Sequence, residues 1–532
     1  MKLNHTLTFA ITIFFVNLLA IKYPYAQTPE ISWQVALGGS RSEWVYSVSK
    51  TADNGFIAGG YTNSDDNGFS VIDSSYDCLA MKFSANGIVE WQRTFGGSGN
   101  DGVWDIQQIS DGSYIGAATT TSNDVDVTGN QGSRDIWIFK LSASGEIIWQ
   151  QSYGGTGADE VSQIEPTADG GFLIAGVSYS SDGDVNFNHG SQDLWIFKIN
   201  SVGLIEWQKN LGGTDYEDSP SFVIREDGSF LFSSRTESND GDVLGLTAAQ
   251  GDEFPFGDFW IFNLDSNGNM LWQECLGGYA GEGAWSIDEC NDGGFVITGY
   301  TFSNNGDVSG YNGGGDCWVV KINSQGDILW QNSIGGSGND AVYSIIETTD
   351  GGYAIAGKTP SNDGDVSGNH GSYDAWVIKL SNTGQLMWQK CLGGSEFDGL
   401  GSIIELNSGA LLVAGGTESS DGDVVGFQGE EDGWIVQLSN PQSVTYQNGV
   451  SWANLYPNPN HGLINFELPY SHDHEEYTVM IRNYFGQTIF VSQVIGESSN
   501  LDIQHLHLSG LYAISIIDDR GLLVHSDLIR FD

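Results

Sequence analysis

The chain has 532 residues, of which 68 are Asp or Glu and only 19 are Lys or Arg, for a net charge of −49 at neutral pH. Such an excess repels nucleic acid and anionic lipid, so neither is expected as a partner, while divalent cations are attracted. The length allows at least two domains.

Residues 1–26 read as a secretory signal peptide, with Lys2 at a positive start, an apolar stretch from Leu7 to Ile21, and Ala26 at a plausible cleavage point. The stretch is short for a membrane span and no later segment replaces it, so an exported protein without a span is expected. Trp-Gln pairs then recur at Trp33, Trp91, Trp149, Trp207, Trp272, Trp330 and Trp388, in steps of 58, 58, 58, 65, 58 and 58 residues. A fixed period of this size marks a closed or stacked repeat architecture.

One unit shows the pattern. Ala341 to Thr348, Tyr353 to Lys358, Asp374 to Leu380 and Gln385 to Gln389 are short runs rich in β-branched and aromatic residues. Each is bounded by Gly, Asn, Asp or Ser, and none has a helical period. Four strands, a to d from the centre outward, make one antiparallel propeller blade. Third strands begin at Asp77, Asp135, Asp193, Asp258, Asp316, Asp374 and Asp432, so there are seven units. The last lacks a Trp-Gln strand, and Trp33-Gln34 stands alone before the first. The expected fold is therefore all-β: a seven-bladed β-propeller over residues 27–440, its last blade completed by an N-terminal strand, with no sheet edge left open.

In this topology the d–a and b–c loops share one face. The d–a connection carries Glu43, Asp101, Asp159, Glu217, Glu282, Asp340 and Asp398, and the best b–c loops read Ser-Asn-Asp-Gly-Asp-Val or nearly so. Most of the repeated negative charge is therefore expected on that face. Two readings of the loop carboxylates compete. Asp182, Asp184, Asp240, Asp242, Asp363, Asp365, Asp421 and Asp423 are hard oxygen ligands two residues apart around a Gly, which suits Ca²⁺, although the spacing differs from the twelve-residue calcium loop. Alternatively, Asp and Asn cap their own turns.

Trp137, Trp195, Trp260, Trp318, Trp376 and Trp434 on strand c, with the Trp-Gln series on strand d, are expected to fill the space between sheets. Trp44, Trp104 and Trp285 break the repeat on strand a, near the channel, and are candidates for ligand contact. So are Asp252 and Glu253, in a seven-residue insertion of the fourth b–c loop. The five cysteines occupy positions that do not pair and are expected as buried thiols. Repetition argues against catalysis, which needs different groups converging on one point. The Thr-x-Asp-x-Gly turns, as at Thr51 to Gly55, resemble the aspartate-box turns of sialidases, but Arg41, Arg93, Arg134, Arg225 and Arg235 are too scattered to form a substrate-binding cluster.

The repeat stops after Leu438. A polar linker precedes a new pattern over residues 453–532, in which short strands at Ile464 to Leu468, Tyr477 to Asn483, Thr488 to Gln493, Leu511 to Ile517 and Leu522 to Ile529, with Gly486 and Gly510 as turns, suggest a small β-sandwich. Tyr456-Pro457-Asn458-Pro459 with Gly462, the turn Arg482 to Gln487, and Leu508-Ser509-Gly510-Leu511-Tyr512 resemble the C-terminal sorting domain of type IX secretion cargo proteins. The resemblance implies passage through the periplasm, recognition by an outer-membrane translocon and a sortase-like peptidase, and release or attachment at the cell surface. The chain is thus expected to be a secreted or surface propeller that binds a glycan or protein, with carbohydrate-active chemistry on the acidic face as the alternative.

Overall fold

A computed structural model describes residues 28–247, 257–440 and the strands lying between Asn454 and Phe531. Every regular element among the described residues is a β-strand. The chain divides into two compact units, one of which spans Ala26–Pro441.

That unit is a ring of seven four-stranded antiparallel sheets. Six are consecutive, such as Asp159–Pro166, Phe172–Ser178, Asp193–Ile199 and Ile205–Leu211 in blade 3. The seventh joins the two ends: Ile31–Leu37 pairs antiparallel with Asp432–Leu438, from Ile31 opposite Leu438 to Leu37 opposite Gly433. Beyond this ladder, Ser439 N donates to Glu30 O at 2.8 Å. Blade number and closure agree with the repeat.

The Trp-Gln signature has a mechanical cause. The strand-c indoles are fully buried between sheets. Each Nε1–H needs an acceptor in that apolar setting. It finds the Gln of the neighbouring strand d: Trp137 to Gln150, Trp195 to Gln208, Trp260 to Gln273, Trp318 to Gln331 and Trp376 to Gln389, at 2.6–3.0 Å. In the closing blade Trp434 reaches Gln34 at 3.0 Å, the same bond made across the chain's two ends. Blade 1 carries Leu79 at this position, one of the places where the repeat is broken. The strand-d indole does a second job by lying on the c–d turn of the next blade. A Cβ on Gly87 would come within 2.8 Å of the Trp33 ring, and one on Gly145 within 3.0 Å of Trp91, at turns whose positive φ already favours glycine.

On the same rim as these c–d turns, the Asp of the a–b turn takes the ammonium of a strand-c lysine in five of the seven blades. Lys82 meets Asp53 at 2.9 Å, Lys198 meets Asp169 at 2.6 Å, Lys321 meets Asp292 at 2.8 Å and Lys379 meets Asp350 at 2.9 Å. The aspartate-box-like turns are structural clasps here. All five cysteines are buried and free.

The second unit contains two antiparallel sheets, one of three strands and one of four. Leu463–Glu467, Glu476–Arg482, Thr488–Ile495, Gly510–Asp518 and Leu523–Phe531 lie where strands are expected from the sequence. Asn454–Tyr456 and Ser498–Asp502 are additional.

Candidate functional site

The strand-a carboxylates do not contribute to an open acidic face. All seven strand-a acids are buried, and each is consumed by its own blade. Asp101 accepts from Thr120 Oγ1 with one oxygen, and with the other from Ser122 Oγ at 2.7 Å and Gly97 N at 2.8 Å. The same three donors recur around Asp398: Thr417 Oγ1, Ser419 Oγ and Gly394 N. Loop folding explains the burial. The Gly-Gly turn and the end of strand b present N–H and O–H groups that only a carboxylate can satisfy together.

The Asp-Gly-Asp loops also have structural partners. The first Asp is exposed and accepts the d–a loop N–H: Thr156 to Asp182, Thr214 to Asp240, Ser337 to Asp363 and Ser395 to Asp421, at 2.7–2.8 Å. The second, half-buried, accepts from a glycine N–H: Gly154 to Asp184, Gly212 to Asp242, Gly335 to Asp365 and Gly393 to Asp423, at 3.3–3.4 Å. Gln131 reaches Asp184 from the preceding blade at 2.7 Å, so these residues also stitch neighbouring blades. Among the described residues no group of three or more His, Cys, Asp or Glu side chains could hold a metal ion. Asp252 and Glu253 lie outside the described residues.

What differs between blades sits on strand a. In every blade its pairing with strand b is interrupted by a bulge. A bulge leaves a residue unpaired and re-aims its side chain. The residues so placed are, in blade order, Tyr46, Trp104, Ser162, Ser219-Pro220, Trp285, Tyr343 and Gly401. Trp104 and Trp285 are 39% and 38% exposed. They stand three blades apart, about 150° around a sevenfold axis. Each is backed by a tyrosine: Trp104 stacks on Tyr46 at 4.3 Å, and Trp285 meets Tyr343 edge-on at 5.4 Å. Ser162 and Pro220 leave the intervening wall small.

Trp44 plays another part. It lies two residues before the bulge, and its ring covers blade 7, where a Cβ on Gly416 would come within 2.1 Å of it. From there rings run on without a break. Trp44 contacts Tyr46 at 6.2 Å and Phe397 at 6.1 Å, and Phe397 contacts Tyr373 at 5.9 Å. Lys358 Nζ bridges to the other arm, 4.9 Å from the Phe397 centroid, 5.4 Å from Tyr373 and 5.8 Å from Tyr343. An aromatic belt thus spans blades 5, 6, 7, 1 and 2. On its blade 1 side Tyr61 donates to Glu431 Oε2 at 3.2 Å. Burial, aided by Glu418 and Glu43, pushes the Glu431 carboxyl up to about 7. Burial lowers the Lys358 ammonium.

Of the residues singled out from sequence, Trp44, Trp104 and Trp285 do share this belt. Sequence reading missed Tyr46 and Tyr343, although both stand three residues after the strand-a acid, as Trp104 and Trp285 do. It also missed Lys358, Phe397, Tyr373 and Glu431, which no local pattern marks.

Residues 454–529 match the family described as a secretion system C-terminal sorting domain. Tyr456 and the pair Gly510 and Tyr512 lie in its strands, whereas Pro457, Asn458, Pro459, Gly462 and Gly486 fall outside the described residues. Regulatory protein FlaEY of Caulobacter vibrioides is 23% identical over 336 residues, which cover 56% of this chain and 34% of that protein. The chain thus spans about a third of that relative's length. Among solved structures, Synechocystis apocarotenoid oxygenase is similar with a TM-score of 0.35 at 10% identity, covering 70% of this chain and 95% of that one. The GH93 α-L-arabinofuranosidase of Fusarium graminearum has a TM-score of 0.34 at 10% identity, covering 63% and 91%. Likeness this faint carries no argument about activity.

The chain is a type IX secretion cargo protein with a seven-bladed propeller, and its tail directs it to the cell surface or out of the cell. Removal of residues 453–532 is expected to hold the propeller in the periplasm. Cell fractionation with an antibody to the propeller checks this, and undiminished export of the shortened chain would refute it.

Proposed function

We propose that the exported propeller is a non-catalytic binding module whose ligand enters the channel mouth along the aromatic belt. The supporting observation is the pair of half-exposed indoles, Trp104 and Trp285, each held by a tyrosine on opposite sides of the opening. Exposed rigid rings are costly to leave in water and typical of recognition sites. The strand-c and strand-d tryptophans are spent on packing, so these two on strand a stand apart.

Trp104→Ala is expected to weaken binding by about 2 kcal/mol while leaving the melting temperature nearly unchanged, because the ring supports little else. Glycan and polypeptide screening, followed by titration of the captured ligand, measures it. Full affinity in both Trp104→Ala and Trp285→Ala would sink the reading.

A second reading, hydrolysis of a glycan at the same mouth, draws on Glu431. A carboxyl pushed up to about 7 is protonated near neutral pH, as a general acid has to be. Glu431→Gln separates the two readings, since it abolishes any hydrolysis and spares simple binding.

A further inference from the structure

Lys358, on strand b of blade 6, differs from the strand-c lysines. Lys82, Lys140, Lys198, Lys321 and Lys379 each meet an aspartate within 2.9 Å. Lys358, half-buried among three rings, has no ion pair or hydrogen bond among the described residues, in a chain with more than three acids for every base. Cation–π contact compensates a desolvated ammonium only in part. A charge kept without a counter-ion at the edge of an open aromatic site calls for an anion from outside.

We propose that the channel mouth takes a saccharide bearing a single carboxylate, with that carboxylate on Lys358 Nζ and sugar rings against Trp104 and Trp285. The inference rests on the binding reading above and names its ligand class. A pyranose offers an apolar C–H face to an indole and hydroxyls to polar side chains such as Tyr61 and Ser162. A densely charged polyanion is excluded by repulsion from the acidic body. An added peptide strand is disfavoured because the bulge in every strand a interrupts the regular backbone edge it would pair with.

The test is calorimetric titration of the full chain with trisaccharides ending in glucuronate, galacturonate or mannuronate, each beside its neutral counterpart. At least one acidic trisaccharide is expected to bind about tenfold or more tightly than its counterpart, the worth of one charge-assisted hydrogen bond. Lys358→Met removes that preference while neutral binding persists, Lys358→Arg retains most of it, and Trp104→Ala weakens both forms. Equal binding of each pair, unmoved by Lys358→Met, overturns the carboxylate assignment and leaves the binding site standing. No binding of any trisaccharide, or capture instead of peptides with a free C-terminal carboxylate, overturns the saccharide. Indifference of every ligand to Trp104→Ala removes the underlying site itself.

Discussion

Deleting Ile31–Leu37 is expected to cost the propeller at least about 5 kcal/mol, a large share of the stability of an ordinary domain. Three losses combine. The Trp434 indole loses Gln34 and is left as a buried donor without an acceptor, worth about 1–3 kcal/mol. Leu37, buried in the joint between blades 7 and 1, and the Trp33 ring over Gly87 give up their apolar burial, at about 1.5–3 kcal/mol for a fully buried side chain. The Asp432–Leu438 strand becomes an open edge of bare N–H and C=O groups, and such edges pair with other molecules. Thermal melts of residues 27–440 and 38–440, with size-exclusion chromatography for association, decide the matter. Gln34→Ala removes the Trp434 acceptor together with the amide's bonds to Asp423 O and Val425 N while keeping the strand, and is expected to cost about 1–3 kcal/mol without aggregation. A truncated chain that melts like the intact one would mean that the ring does not depend on its clasp.

Stability is expected to be higher at pH 5 than at pH 8, contrary to the usual behaviour of acidic proteins that rely on ion pairs. Burial pushes the carboxyls of Asp77, Asp135, Asp316 and Asp432 up to about 6 and that of Glu217 up to about 7. Each strand-c Asp packs beside the strand-a acid of the next blade, and the Oδ1 of Asp77, Asp135 and Asp316 is buried without a hydrogen-bond partner among the described residues. A carboxyl whose pKa is raised by folding holds its proton more tightly in the native state. Its favourable contribution is complete below the ordinary carboxylate range and is lost as pH rises through 6 to 7. Asp53, Asp111 and Asp169 act oppositely. Hydrogen bonds from Thr51 and Lys82, from Lys140, and from Lys198 hold them down to about 2, so their support is lost only as pH falls from about 4 toward 2.

The optimum should therefore lie near pH 4 to 5, and falling net charge works in the same direction. Melting curves at constant ionic strength between pH 3 and 8 measure it. Asp135→Asn is expected to raise stability at pH 8 by about 1 kcal/mol, since a pKa shift of one unit is worth about 1.4 kcal/mol. Its amide can still accept from Gln131 N, as Asp135 does at 2.7 Å, and gains a proton to offer Asp159. A melting temperature that is flat, or that falls from pH 8 to pH 5, would show that these acids are not strained as described.

The ring was legible in the chain because each blade is encoded locally. Four short strands with fixed turns repeat every 58 residues, and a stranded Trp-Gln pair at the start finds its place only in the last sheet. The sorting tail was legible for the same reason, since its motifs are short and contiguous. The strand-a carboxylates were placed on the right loops but given the wrong exposure. Asp101 and Asp398 look like surface charge in sequence, because nothing local tells that Gly97 and Ser122, or Gly394 and Ser419, will close over them.

The channel mouth shows where local reading stops. Trp44 and Trp104 look alike in sequence as tryptophans near the start of strand a, yet only Trp104 stands at a bulge, where one extra residue shifts the alternation of faces. Lys358 carries no signature at all. Its rings come from Tyr343, Tyr373 and Phe397, on two blades and three different strands or loops. Sequence by itself determined the number of blades and the export tail, since each depends on neighbours along the chain, and the closure, since a strand left over at one end matches the one missing at the other. Only tertiary structure decided which acids are sealed and which rings converge, because burial and convergence are set by contacts between blades that no repeat period encodes.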